Sequence, residues 1–153
     1  MSLKRKDYVL VTLQFSLFLA YVANIKIAAI NFDYTVKNTG LILVILGSIL
    51  LIISVITLNK NLSPFPAPKA NGELIEKGPY KYVRHPIYTS VLCCLLGYAF
   101  YTNSIYKISV TLLVFVLFLI KYKYEEARLL NTFKDYTNYK KRTGAFLPKI
   151  FKN

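Results

Sequence analysis

The apolar positions of this chain form long, nearly uninterrupted runs instead of alternating or half-helical stripes. Residues 40–58 include no charged side chain, and a helix of that length, at 1.5 Å per residue, covers roughly the 30 Å interior of a bilayer. Three further runs predict helices at about residues 8–30, 86–101 and 106–122. We therefore expect an all-α, integral membrane helical bundle with four transmembrane helices, formed by a single domain over residues 1–153.

Lysines interrupt or border two of these spans. Lys26 lies near the end of the first, where its long side chain can reach the headgroups. This span is longer than the core of a signal peptide and no small-residue cleavage pattern follows it, so we expect it to be retained. The fourth span is uncharged only over residues 108–120, and it crosses the bilayer fully if Lys107 and Lys121 extend to the two interfaces.

Charge sets the expected orientation. The chain has 20 Lys and Arg against 7 Asp and Glu, a net charge of +13, and 55% of its residues are hydrophobic. The basic residues are divided between apolar runs instead of forming one groove, so no nucleic-acid partner is predicted. Most of them precede residue 8, lie in residues 59–85 or follow residue 120. The positive-inside rule places these segments and both termini in the cytosol, facing anionic lipids.

The two cysteines give no metal or disulfide signal. Cys93 and Cys94 are adjacent within the third apolar run, too close for an ordinary disulfide and without partners at metal-ligand spacing. We interpret them as small apolar residues of a membrane helix, with a lipid-modified or reactive thiol as the alternative. No metal site is predicted.

The segment 59–85 is the first candidate for chemistry. It opens with a Pro-rich stretch at 64–68 that disfavours a helix and ends directly before Pro86. Pro86 suits the first turn of a helix, where free N–H groups and a partial positive charge favour an anion, and Arg84 and His85 add donors beside it. The alternative is simple anchoring, with Arg84 on a lipid phosphate and a lone interfacial histidine.

A second candidate cluster follows the fourth span, where helix-forming residues predict a C-terminal helix at 123–142. Lys121 and Glu125 are four residues apart, which an ordinary ion pair on a solvated helix explains. The adjacent carboxylates of Glu125 and Glu126 are unusual on a basic face, and they are candidate ligands for hydroxyl or amino groups. Gln14, in the middle of the first span, is expected to bond to a neighbouring helix.

The order of these motifs resembles the isoprenylcysteine carboxyl methyltransferase family of integral membrane methyltransferases, which is related to phospholipid methyltransferases. The resemblance covers residues 72–150. The matching motifs are GPY at 78–80, RHPIY at 84–88, EEARL at 125–129, a Phe at 133, and YKKR at 139–142 followed by LP at 147–148. Two positions depart from the family pattern. Lys121 stands where a substrate-contacting Arg is usual. Lysine keeps the positive charge but cannot form the two parallel hydrogen bonds that a guanidinium makes with a carboxylate. Lys134 replaces a common Gly.

The resemblance implies a binding site for S-adenosyl-L-methionine at the cytosolic membrane surface. The implied cofactor-binding residues are Glu73, Leu74, Ile75, Tyr80, His85, Pro86, Ile87, Tyr88 and Glu125. The residues that we predict to be catalytic are Lys121, Arg84, His85 and Glu126. Lys121 would orient a substrate carboxylate, whereas His85 or Glu126 would act as general base if the acceptor were an amine.

We therefore expect S-adenosylmethionine-dependent methyl transfer to a lipophilic, membrane-embedded acceptor such as a prenylcysteine-like carboxylate. A phospholipid or small-molecule acceptor is an alternative of the same class. A non-catalytic four-helix membrane partner protein is an alternative of another class. A nicotinamide-dependent reductase is a third, and the chain offers no Gly-x-Gly-x-x-Gly phosphate cradle for it.

Overall fold

Five α-helices make up most of the computed structural model, which describes residues 3–23, 25, 27, 30–68 and 72–149. They are α1 (Arg5–Val22), α2 (Tyr34–Leu58), α3 (Pro86–Tyr101), α4 (Ile105–Thr132) and α5 (Tyr136–Arg142), with 3-10 turns at Asn59–Asn61 and Gly78–Lys81. Within these described ranges no β-strand occurs, and the strand-like pairing is an isolated bridge between Val83 and Gly144. The predicted all-α class is confirmed.

Two of the helices, α2 and α4, are long and apolar enough to cross a membrane, and α3 is a shorter apolar helix. Many apolar side chains of α2 face outward, including Ile42, Ile45, Ile49, Ile52 and Ile56. A continuous apolar surface of this kind is typical of a helix that contacts lipid. Together with its fold, this surface indicates an integral membrane protein.

The helix at the amino-terminal end is shorter than the predicted first span. It is 18 residues long and starts with three charged side chains at positions 5–7. The helix stops at Val22, because Ala23 already has an extended backbone, whereas the prediction continued to residue 30. Lys26 lies outside the described residues.

The predicted continuous helix at 123–142 is wrong, because the structure has two helices there. α4 ends at Thr132, and Phe133 adopts extended backbone angles before α5 begins at Tyr136. The break lets α5 fold back toward the start of α3. Tyr136 and Tyr139 are almost fully buried by this turn, and burial of two aromatic rings stabilises it.

The helices α2 and α3 approach closely through glycine. A Cβ on Gly40 would lie 2.5 Å from the carbonyl oxygen of Gly97, and a Cβ on Gly97 would lie 2.4 Å from that of Gly40. Because neither residue has a side chain, the two backbones can touch, as at many helix contacts in membranes. This contact sets the position of α3 against α2.

The helices α1 and α4 run antiparallel and are tied together at both ends. At one end Arg128 donates two hydrogen bonds, of 2.8 and 2.7 Å, to the fully buried carboxylate of Asp7. At the other, the hydroxyl of Tyr106 donates to the carbonyl of Ala20 at 2.8 Å. The starts of α1 and α3 and the ends of α2 and α4 consequently lie at the same end of the bundle.

Candidate active site

A cavity of about 380 Å³ opens at this end of the bundle. It lies between the connector that joins α2 to α3, the first turn of α3, the last turns of α4 and helix α5. Its volume is within the roughly 300–1,000 Å³ typical of small-molecule sites. Most of its wall is apolar, and a few charged and hydroxyl groups converge on one side.

Ten of the residues predicted as site residues line this cavity. They are Glu73, Leu74, Ile75, Tyr80, Arg84, His85, Ile87, Tyr88, Lys121 and Glu125. The other two do not line it. Pro86 is buried as the first residue of α3, and Glu126 is buried behind the wall.

The start of α3 is held by backbone contacts from the far end of the chain. Pro86 is its first helical residue, as predicted. The N–H of Arg84 donates to the carbonyl of Gly144 at 2.9 Å, and the N–H of His85 donates to that of Ala145 at 3.0 Å. The hydroxyl of Thr89 donates to the backbone carbonyl of Phe146 at 2.8 Å. The first turn of α3 therefore has a fixed position in the cavity wall.

The GPY motif at 78–80 positions Tyr80 in the cavity wall. Gly78 has a positive φ of 56°, which favours glycine, and it begins the 3-10 turn that carries Tyr80. The backbone carbonyl of Tyr80 accepts a 2.6 Å hydrogen bond from the hydroxyl of Tyr139 on α5. Helix α5 is thereby attached to the connector, and Tyr80 faces the cavity.

Tyr88 and Glu125 link α3 to α4. The hydroxyl of Tyr88 donates to a carboxylate oxygen of Glu125 at 2.8 Å. The Tyr88 ring stacks with the rings of His85 and Phe118. The side chain of Glu125 is 27% exposed. It can accept further hydrogen bonds from a ligand in the cavity.

Glu126 is the centre of a buried ionic cluster behind the wall. One oxygen accepts from Arg84 Nε at 2.6 Å and lies 3.4 Å from His85 Nε2, and the other pairs with Lys140 at 2.9 Å. Burial alone would raise the pKa of Glu126, but hydrogen bonds from His85, Lys140 and Arg84 hold it at about 2. A carboxylate with so low a pKa is a weak base. This environment favours a structural role for Glu126.

The guanidinium of Arg84 is engaged within the protein. Besides Glu126, it donates to the backbone carbonyls of Lys140 and Thr143. The alternative interpretation, in which Arg84 anchors the helix to a lipid phosphate, does not match these contacts. Arg84 instead joins α3, α4 and α5.

Lys121 is almost fully buried and bonds across the cavity wall. Its ammonium donates to the side-chain oxygen of Gln14 at 2.5 Å and to the carbonyl of Pro64 at 2.8 Å. The expected bond of Gln14 to a neighbouring helix is confirmed, whereas the simple Lys121–Glu125 ion pair is not formed. Lys121 connects α1, the Pro-rich connector and α4 beside the cavity.

Several lining residues were missed from the sequence. They come from the end of α2, the Pro-rich stretch, the last turns of α4 and helix α5, and include Leu58, Phe65, Leu129, Tyr136 and Tyr139. The three-residue spacing of the two tyrosines is a signal for a shared helix face. Burial raises the pKa of both tyrosines, so their hydroxyls stay protonated at neutral pH.

Comparison with known proteins points to one family. A family model described as phospholipid methyltransferase matches residues 36–136. The cobalt-zinc-cadmium resistance protein CzcN of Cupriavidus metallidurans is 32% identical over 83 residues, which are 54% of this chain and 38% of that protein. The nickel-cobalt-cadmium resistance protein NccN of Alcaligenes xylosoxydans xylosoxydans is 33% identical over 79 residues, which are 51% of this chain and 37% of that protein. The chain therefore matches less than two-fifths of the length of these relatives.

A solved structure shares the fold. The eukaryotic intramembrane Ras methyltransferase ICMT (isoprenylcysteine carboxyl methyltransferase) superposes with a TM-score of 0.67 at 23% identity, covering 95% of this chain and 50% of that one. The resemblance inferred from the motifs is confirmed at the level of fold. Because the family match spans well over half of the sequence, this chain belongs to the phospholipid methyltransferase family.

Proposed function

We propose that this protein transfers a methyl group from S-adenosylmethionine to a lipophilic acceptor at the membrane surface. The observation that carries the proposal is the cavity, because it collects the first turn of α3, Glu125 of α4 and the connector residues 72–75 beneath apolar helices. Membership of the family and the ICMT-like fold support it. We further propose that α1 to α4 all cross the membrane, with both termini in the cytosol near anionic lipids.

The cavity side chains fit the chemical groups of S-adenosylmethionine. This molecule has a carboxylate, an amino group, ribose hydroxyls and a sulfonium centre. The first-turn N–H groups of α3 have no intrahelical acceptor and suit the carboxylate. The carboxylate of Glu125 suits the amino group or the hydroxyls. The faces of Tyr80 and Tyr88 can contact a cation or a purine ring.

The chain's own residues would position the reactants and exclude water. S-adenosylmethionine, when bound, supplies an electrophilic methyl group on a positively charged sulfur. Glu125 and the first turn of α3 would hold it so that the acceptor's lone pair could form the new bond to that carbon, while the electrons of the broken carbon–sulfur bond stayed on sulfur. Correct placement in a dry cavity provides most of the acceleration of such a reaction.

The charge of Lys121 supports an anionic acceptor. Its ammonium lies in the cavity wall between α1 and α4, within the apolar part of the bundle. A carboxylate acceptor would be attracted to this charge and needs no base, which favours a prenylcysteine-like group. With an amine acceptor, a proton must leave, and His85 is then the candidate base because it lines the cavity.

The proposal is tested with the full chain in lipid nanodiscs. S-adenosylmethionine is titrated by calorimetry, and its labelled methyl group is then followed into lipid, protein and volatile products of a membrane extract. Saturable binding below about a millimolar and labelled lipophilic product are expected. Absence of binding at that concentration would favour the non-catalytic partner protein. Glu125→Gln is the matched variant for the binding arm.

A further inference from the structure

Tyr136 is a buried tyrosine whose hydroxyl has no bonding partner among the residues that the structure describes. The side chain is 1% exposed and lines the cavity. Its neighbour Tyr139 differs in this respect, because the hydroxyl of Tyr139 donates to the carbonyl of Tyr80. Tyr88, on the opposite wall, donates to Glu125. Tyr136 is thus the exception among these three cavity tyrosines.

Charged groups close enough to act on Tyr136 include Glu126 and Arg84, and both bond to other residues. Glu126 accepts from Arg84 on one oxygen and from Lys140 on the other. Arg84 also donates to two backbone carbonyls. A buried hydroxyl without a partner destabilises the protein relative to phenylalanine at the same place. A ligand that accepts a hydrogen bond would remove this penalty on binding.

The position of Tyr136 indicates which ligand it would contact. It follows Glu125 by eleven residues, beyond the end of α4, whereas Lys121 and Gln14 lie within the apolar helices. A lipophilic acceptor would approach the cavity from the apolar side. The polar nucleoside would occupy the opposite part, next to Glu125 and α5.

We propose that the hydroxyl of Tyr136 donates a hydrogen bond to an oxygen or ring-nitrogen acceptor of the bound sulfonium nucleoside. Tyr136 is then a further ligand-binding residue, contributed by α5. The inference rests on the proposed function, since it assumes that such a nucleoside binds in this cavity. An ordered water bonded to Tyr136 in both states is the competing explanation.

The experiment compares Tyr136→Phe with the wild type, as full-length protein in nanodiscs. The probe is S-adenosylhomocysteine, which binds without turnover, and the readouts are calorimetric affinity and melting temperature. We expect affinity to fall about 3- to 10-fold, the loss of one net hydrogen bond. The melting temperature without ligand should stay equal or rise, because an unpaired hydroxyl has been removed.

Two matched variants separate binding from structure. Tyr139→Phe loses the bond to the carbonyl of Tyr80, so its melting temperature should fall without ligand. Tyr82→Phe removes the hydroxyl of a tyrosine that is 60% exposed and should change neither readout. A melting temperature of Tyr136→Phe that falls as for Tyr139→Phe would overturn the inference in favour of a structural or water-bonded hydroxyl.

The affinity comparison distinguishes the two proposals. If the wild type binds the probe and Tyr136→Phe binds it equally well, the inference is overturned and the proposed function stands. If the wild type does not bind, the proposed function itself fails. Should Tyr136→Phe fail to fold, 3-fluorotyrosine at position 136 keeps the hydroxyl. Its fluorine resonance should shift on addition of the probe, and an unshifted resonance would overturn the inference.

Discussion

The hydroxyl of Tyr88 lies 2.8 Å from a carboxylate oxygen of Glu125, which ties the first turn of α3 to α4 beside the cavity. If Glu125 also binds S-adenosylmethionine, Glu125→Gln should weaken binding about 10- to 100-fold, since bonds to a charged group contribute roughly 1.5–3 kcal/mol. Titration calorimetry measures this.

Tyr88→Phe is the control for that substitution. It keeps the aromatic stack but removes the hydroxyl, so affinity should change less, by about 3-fold. Equal affinities for wild type and Glu125→Gln would place Glu125 outside the binding site.

The ionic cluster around Glu126 predicts loss of stability in acid. Its pKa in the folded protein is about 2, below the ordinary value of 4.5. The ionised carboxylate of Glu126 therefore stabilises the folded protein fully above pH 4.5, and this stabilisation is lost as the pH falls toward 2. The melting temperature of the wild type should decrease across this window.

Glu126→Gln isolates the contribution of this carboxylate. At pH 7 the variant should be less stable by about 3–5 kcal/mol, because Arg84 loses its buried partner. Its melting temperature should depend less on pH below 5, so the two curves converge in acid. Parallel curves would assign the acid sensitivity to other groups.

Lys121 is expected to affect turnover more than cofactor binding. Lys121→Ala removes the positive charge from the cavity wall, so turnover with a carboxylate acceptor should fall about 10- to 100-fold while affinity for S-adenosylmethionine stays within about 2-fold. Initial rates and calorimetry give the two quantities. Unchanged turnover would remove Lys121 from the substrate site.

Gln14→Ala is the matched control, since it breaks the bond between α1 and Lys121 but keeps the charge. Its turnover should remain close to that of the wild type. A decrease equal to that of Lys121→Ala would show that the bond between the helices, and not the charge, is what matters.

The buried pair of Asp7 and Arg128 predicts a large effect on folding. Asp7→Ala leaves the Arg128 guanidinium without this carboxylate, and breaking a buried pair costs about 3–5 kcal/mol. Asp33→Ala removes the exposed cap of α2, which accepts from the N–H of Val36, and should cost about 1 kcal/mol. Denaturant unfolding in detergent measures the free energy of unfolding of both variants. Similar decreases for Asp7→Ala and Asp33→Ala would contradict this prediction.

The glycine contact of α2 and α3 predicts a graded series. Gly97→Ala would place a methyl group against the backbone of Gly40 and should destabilise by about 3 kcal/mol, at the upper end for overpacking. The Cβ of Gly47→Ala would lie 2.9 Å from the Sγ of Cys94 and 3.1 Å from the backbone oxygen of Ser90. Both distances are longer than the 2.4 Å to the Gly40 oxygen, so this substitution should cost less. The same unfolding assay applies, and a reversed order would contradict the close contact.

Local sequence features predicted most of the apolar helices, with the end of α1 as the exception. Long uncharged runs define α2 and the apolar part of α4, because hydropathy is a property of consecutive residues. Pro86 marked the start of α3 for a similar reason, since its ring fixes the backbone of its own residue. The end of α4 at Thr132 was not predictable in this way. It depends on burial of Tyr136 and Tyr139 against residues distant in the chain.

In the site too, local patterns were predictable from the sequence, whereas contacts between residues far apart in the chain were not. Motif resemblance brought Arg84, Glu125 and Glu126 into one site, but the residue pattern alone did not show that Arg84 binds Glu126, 42 positions away. The simple expectation of an ion pair between Lys121 and Glu125 used helix spacing alone. Lys121 instead bonds to Gln14, 107 positions away, because the fold places that amide closer to its ammonium.

The backbone bonds from Arg84 and His85 to Gly144 and Ala145 affect how the protein can be made. During translation, Gly144 and Ala145 leave the ribosome well after α3, and until then the α3 side of the cavity lacks these two backbone acceptors. The wall of the cavity is therefore completed only after these two residues emerge and dock. A nascent chain arrested before Gly144 would lack this support for the first turn of α3.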